Sequence, residues 1–166
     1  NVAVNLASLG ATTRLLGLVG DDAAGQSLHS ILSGLGIVCE FAQVGNRPTI
    51  TKTRVQSRGQ QLIRLDEENA AHVPGDAMRD ALTQSIDGAG AVVLSDYGKG
   101  TLGEVGKLID VCRDAGVPVL VDPKGRDFSK YRGASLITPN QTEFEAVAGV
   151  STTDDDLVSR ARVMID

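Results

Sequence analysis

The feature that most constrains this chain is a pattern repeated along its second half: a short aliphatic run that stops in a cluster of Gly, Pro and polar residues. Ala91-Val92-Val93-Leu94 runs into Ser95-Asp96-Tyr97-Gly98-Lys99-Gly100, and Val117-Pro118-Val119-Leu120-Val121 into Asp122-Pro123-Lys124-Gly125. Ala134-Ser135-Leu136-Ile137 runs into Thr138-Pro139-Asn140-Gln141-Thr142-Glu143. Runs of this kind read as buried strands of a parallel sheet. Ligands of open α/β sheets bind outside the carboxyl ends of the strands. The pattern therefore gathers Asp96, Lys99, Asp122, Lys124, Asn140 and Glu143 on one rim, which is the chemistry of a phosphate and metal site.

A chain of 166 residues with 42% hydrophobic content holds enough apolar material for an ordinary domain. Its net charge of −5 argues against a nucleic-acid or membrane-surface binder, which needs a basic face. No apolar run is long enough to span a bilayer, and the chain reads as cytoplasmic. Cys39 and Cys112 lie far apart, and Cys112 follows Val105, Leu108 and Ile109 at helical spacing. A buried thiol is expected there rather than a disulfide or a metal ligand. Both ends fall on helical patterns: Asn1 opens one without a leading strand, and residues 154–166 close another without a following strand. A piece of a larger protein is expected.

Ala3, Leu6, Ala7 and Leu9 form a helical face that stops at Gly10, and Leu15 to Val19 then read as a strand ending in Gly20-Asp21-Asp22. Leu28, Ile31, Leu32 and Leu35 recur at helical spacing before Gly36, with His29 beside the stripe in a surface or cap role. Residues 38–65 alternate instead, with Gly45-Asn46 and Arg58-Gly59 as turn signals, and predict three antiparallel strands inserted into the βα pattern. This segment carries Arg47, Lys52, Arg54, Arg58 and Arg64. Such a basic patch in an acidic protein suits an anionic small molecule, or equally the protection of an exposed sheet edge. From Pro74 onward the order is helix, strand, helix, strand, short helix, strand, helix, helix, which predicts βα units.

Asn140 suits an N-cap and Glu143 the third helical position, as in a capping box. A plain helix start explains both, and so does water-mediated Mg²⁺ beside phosphates at a helix N-terminus. Lys124 is similarly either a solvated loop lysine or a cation held at the rim by Pro123 and Gly125. A dinucleotide oxidoreductase fits poorly, because no Gly-x-Gly-x-x-Gly follows a first strand.

Taken together these residues resemble the ribokinase-like (PfkB) carbohydrate kinases. Asn1, Ala3, Gly10 and Gly20 match the spacing of that family's first signature, and Gly20-Asp21-Asp22-Ala23-Ala24-Gly25 is similar to its Gly-x-Asp-x-x-Gly element. Asn140 to Glu143 is similar to its Asn-x-x-Glu motif. Within the family, Pro48 to Arg54, Gln60 to Asp66, Leu94 to Gly100 and Asp122 to Gly125 look like the D-glycero-β-D-manno-heptose 7-phosphate kinases. Those kinases often form the N-terminal half of a bifunctional ADP-heptose synthase.

The resemblance implies a partial ribokinase-like kinase domain over residues 1–166, lacking the first strand and the C-terminal part. A β lid of about residues 38–66 is inserted in it and pairs with a second subunit. It also implies ATP-dependent phosphorylation of a small sugar phosphate at the anomeric hydroxyl, giving the 1,7-bisphosphate used in lipopolysaccharide core assembly. Asn140, Gln141, Thr142, Glu143 and Lys124 would serve the nucleotide, with Mg²⁺ held by Asn140 and Glu143 through water. Asn1, Arg54, Gln60, Arg64, Asp96 and Lys99 would face the sugar phosphate. The family's Gly-Ala-Gly-Asp motif, which supplies the catalytic base, is absent: Asp87-Gly88-Ala89-Gly90 has the Asp first and precedes a strand. The base is expected beyond Asp166, and the chain alone is expected to be inactive. Other sugars of the family, fructose phosphates or ribose, and a kinase-fold binding module without catalysis remain alternatives.

Overall fold

A computed structural model describes residues 1–44, 47–67 and 75–165. The chain folds as two compact units, Asn1–Leu82 and Thr83–Asp166. The turn expected at Gly45-Asn46 lies outside the described residues.

In the first unit α1 (Val2–Ser8) leads to β1 (Arg14–Val19), α2 (Ala23–Gly34) and β2 (Val38–Gln43). β1 and β2 pair in parallel, from Arg14 opposite Val38 to Val19 opposite Gln43. This corrects the expectation of three antiparallel strands across residues 38–65. A hairpin needs a tight turn, whereas a helix between two strands carries the chain back to the same end and makes them parallel. Alternation alone does not distinguish the two pairings.

Ala3, Leu32 and Ile37 are buried together, with Val4, Ala7, Leu15, Cys39 and Phe41 packed against them. Of the helical stripe read from the sequence, only Leu32 is buried; Leu28, Ile31 and Leu35 are exposed. His29 on the same helix is exposed, edge-on to Phe41.

The antiparallel part is a two-stranded ribbon, β3 (Thr51–Ser57) and β4 (Gln60–Glu67). Its turn is Arg58-Gly59, with φ of 49° and 78°. Positive φ at both central residues matches the right-handed twist of a two-residue hairpin, and explains glycine at the second. A register shift falls between Val55 and Gln56.

After α3 (Gly75–Ser85), the second unit contains β5 (Val92–Ser95), α4 (Val105–Asp114), β6 (Val119–Asp122), β7 (Leu136–Ile137), α5 (Gln141–Ala148) and α6 (Asp154–Ile165). The strands form a parallel sheet in the order β5-β6-β7. Central β6 buries Val119 and Val121 completely, and α4 buries Val105, Leu108, Ile109 and Cys112. Each fully buried aliphatic side chain is worth about 1.5–3 kcal/mol, so these positions hold the strand ends that carry the polar loops. Burial pushes the Cys112 thiol pKa up, as expected for an inert core thiol. Arg160 Nη1 donates to Ala148 O at 2.7 Å, tying α6 to the end of α5.

Candidate active site

Because β5, β6 and β7 are parallel neighbours, their carboxyl ends open on one edge of the sheet. The loop after β7 starts α5 with a complete capping box. Asn140 Oδ1 accepts from Glu143 N at 3.0 Å, and Glu143 Oε2 accepts from Asn140 N at 3.1 Å. The other Glu143 oxygen accepts from Lys124 Nζ at 3.2 Å, across from the loop after β6. The backbone hydrogen bond from Asn140, then the Lys124 ammonium, hold the Glu143 carboxyl below its ordinary pKa. Gln141 and Thr142 are exposed in the first turn of α5. Sequence reading anticipated this cap; the structure adds that Lys124 meets it.

The loop after β5 is organised from within. Asp96 is only 6% exposed. Its Oδ1 accepts from Gly98 N at 2.7 Å, and its Oδ2 accepts from Lys130 Nζ at 2.8 Å and from Tyr131 OH at 2.7 Å. Burial opposes ionisation of Asp96, but the donors from Lys130, Tyr131 and Gly98 outweigh it and hold the carboxyl below its usual range. The Tyr131 hydroxyl in turn accepts from Lys124 N at 2.9 Å. Lys130 also lies 4.8 Å from the centre of the Tyr131 ring.

Sequence reading placed Asp96 against the sugar phosphate. In the structure both its oxygens are engaged inside this loop network, while Lys99 on the same loop is exposed. Lys130 and Tyr131 were missed. They sit on a short 3₁₀ turn, Ser129–Tyr131, started by Asp127, which accepts from Ser129 N at 2.9 Å and Ser129 Oγ at 2.6 Å. Asp127-Phe128-Ser129 is a recognisable side-chain turn signal. Nothing in it points to Asp96, 35 residues from Tyr131.

In the first unit the Gly-x-Asp-x-x-Gly element closes on the root of the β ribbon. Asp22 caps α2 by accepting from Gly25 N at 2.8 Å. It also accepts from Thr49 Oγ1 and from Thr49 N, each at 2.7 Å. Thr49 Oγ1 accepts from Gly20 N at 2.9 Å. A Cβ on Gly20 would lie 2.8 Å from Thr49 N, and one on Gly25 2.8 Å from Gly20 O. Both glycines are therefore required for the segment around Thr49 to dock. The Thr49 backbone donor, then those of Gly25 and the Thr49 hydroxyl, lower the Asp22 pKa.

The ribbon has two different faces, because facing residues of an antiparallel pair project to the same side. Lys52 opposite Asp66 and Arg54 opposite Arg64 make a charged face. Thr53 opposite Leu65 and Val55 opposite Ile63 make an apolar one, and Val55, Ile63 and Leu65 are exposed. Arg64 binds Asp66 through both carboxylate oxygens, at 2.8 and 2.7 Å. Arg47 is buried and Arg58 sits in the turn, so the basic patch reduces to Lys52, Arg54 and Arg64. Gln60 pairs with Ser57 at the hairpin tip, roughly 13 Å along the strand from Arg64. The structure does not bring it to the arginine pair. Asn1 is the N-cap residue of α1 and makes no side-chain cap bond there.

Parallel strands with helices, a small antiparallel ribbon and a lysine-carboxylate rim define a ribokinase-like carbohydrate kinase fold. The profile of the pfkB family carbohydrate kinases matches residues 1–165, and the chain belongs to that family. Its relatives include the bifunctional protein HldE of Actinobacillus succinogenes, 53% identical over 99% of this chain and 35% of that protein. Those of Proteus mirabilis and Shigella flexneri are 50% and 51% identical over the same shares. The chain thus spans about a third of the length of these curated relatives. Among solved structures it is similar to a PfkB protein from Polaromonas, with a TM-score of 0.74 and 19% identity over 98% of this chain and 61% of that one. The tetrameric inhibited form of Escherichia coli phosphofructokinase-2 superposes with a TM-score of 0.70 at 20% identity, over 99% of this chain and 56% of that one. Among the described residues no helix is long and apolar enough to cross a membrane.

Proposed function

We propose that this chain is part of an ATP-dependent kinase that phosphorylates heptose 7-phosphate at its anomeric hydroxyl, giving heptose 1,7-bisphosphate for ADP-heptose and lipopolysaccharide core synthesis. The observation that carries a phosphorylated substrate is the register of Arg54 opposite Arg64. Like charges directly opposite one another destabilise a ribbon; Asp66 offsets part of this at Arg64, and a phosphate between the two arginines would offset the rest. Asp66 already orients the Arg64 guanidinium. Arg54 and Arg64 are assigned to the substrate phosphate. Asn1 and Lys99 keep their assignment to the sugar phosphate, and Gln60 acts only at the hairpin tip.

On the nucleotide side, the chemistry of the donor set fits Mg²⁺-ATP. Glu143 is held ionised, and each of its oxygens retains a lone pair beyond the one given to Asn140 or Lys124. That suits a cation met through its water shell, with the Asn140 amide beside it. Bound Mg²⁺ would neutralise charge on the transferring phosphoryl group. Lys124 would meet phosphate oxygens as a mobile point charge, and Gln141 and Thr142 would line the helix start. The 166 residues contain no Gly-Ala-Gly-Asp, and we assign the catalytic base to none of them.

The apolar face of Val55, Ile63 and Leu65 is assigned to a homodimer contact through the ribbon, since an isolated two-stranded sheet is marginal in water. A monomer by light scattering of the full-length protein would remove that assignment. The function itself is tested by ATP consumption of the full-length protein with heptose 7-phosphate, fructose 6-phosphate and ribose. Preference for heptose 7-phosphate is expected; equal turnover of ribose would overturn the reading, and preference for fructose 6-phosphate would redirect it to a sugar-phosphate kinase of other specificity.

A further inference from the structure

We propose that Tyr131 is a positioning residue that locks the loop carrying Lys99 to the loop carrying Lys124, so that both phosphate-facing lysines hold one relative geometry during transfer. The inference rests on the reading above for what the lysines do, but the mechanical link stands on its own geometry. A tyrosine buried only for its ring could place its hydroxyl against any partner. Tyr131 is 2% exposed, and its hydroxyl accepts from Lys124 N at 2.9 Å and donates to Asp96 at 2.7 Å. The opposite oxygen of Asp96 takes Gly98 N at 2.7 Å, fixing a turn whose next residue is Lys99. Gly98 has φ of 66°, a conformation that side chains other than glycine rarely adopt. A chain of short hydrogen bonds thus runs from the backbone of one lysine loop to the turn that presents the other.

Lys130 completes the device. A buried carboxylate needs a cation, and Lys130 supplies it at 2.8 Å. Asp96 and Lys130 therefore serve the geometry of the loops, while Lys124 on the rim meets Glu143 at 3.2 Å.

The test is Tyr131→Phe in the full-length enzyme, which keeps the ring and its edge contact with Phe128. Misalignment of reacting groups appears in turnover more than in binding. A fall in kcat of about tenfold or more is expected, with both KM values within about threefold of wild type. Hydrogen exchange of peptides covering 96–100 and 122–125 should quicken together in the variant. A Tyr131→Phe enzyme with wild-type kcat, or exchange that quickens in one loop only, would overturn the inference. Failure of wild-type protein to use any sugar on the panel would count against the proposed function instead, and the exchange measurement would still decide the coupling.

Discussion

Asp96→Asn is the most demanding test of how the rim is held. The substitution keeps shape and leaves an oxygen for Gly98 N, but it turns an amide NH₂ toward Lys130 Nζ and Tyr131 OH, both of them donors. The Tyr131 hydroxyl can turn to Lys124 O, already 3.2 Å away, whereas Lys130 loses its carboxylate and keeps only its contact with Tyr131, whose ring centre is 4.8 Å away. Removing one partner of a fully buried ion pair costs about 3–5 kcal/mol. Lys130 is 40% exposed and recovers part of its hydration, so the lower end, about 3 kcal/mol, applies. For a domain of 150–250 residues that is a fall in melting temperature of roughly 6–12 °C, measurable by calorimetry on the full-length protein. The pH dependence follows from the direction of the shift. Folding lowers the Asp96 pKa, so its stabilisation is complete above the unfolded carboxylate range and is lost as pH falls through the lower folded value. The gap between wild type and variant should hold from pH 8 to about 5 and close from about pH 4 downward. A gap under about 2 °C at neutral pH, or one unchanged at pH 3, would refute the reasoning.

Glu143→Gln should lower turnover and move the Mg²⁺ dependence to higher concentration, read by titrating Mg²⁺ at saturating ATP; an unchanged dependence would remove Glu143 from the metal's water shell. Arg64→Ala should raise the KM for the phosphorylated sugar by about 1.5–3 kcal/mol, roughly 10- to 150-fold. Equal effects on phosphorylated and unphosphorylated sugars would show that the ribbon does not read the phosphate. Gly20→Ala should loosen the ribbon's root, because its Cβ would fall 2.8 Å from Thr49 N. Faster hydrogen exchange across 51–67 is the expected result, and wild-type exchange there would mean that the segment has room to shift.

Local chemistry along the chain was enough for several elements. The aliphatic runs became β5, β6 and β7 in the expected order, since their length and bounding Gly and Pro residues admit little else. Asn140 and Glu143 formed their capping box because both partners lie within one helical turn. Arg58-Gly59 formed the hairpin turn for the same reason of short range. Other features depend on partners far apart in the chain. β2 joined β1 in parallel, which alternation cannot signal because it reports a half-buried strand and not its neighbour's direction. Leu28, Ile31 and Leu35 share the spacing of Leu32, yet only Leu32 meets the core of its unit. Asp96 carries the polar character of a rim residue in the sequence, but Lys130 and Tyr131 arrive from a later turn and share one of its oxygens. Periodicity and capping act within a few residues, whereas the partner of a buried charge is chosen by whichever donor the packed chain delivers to it.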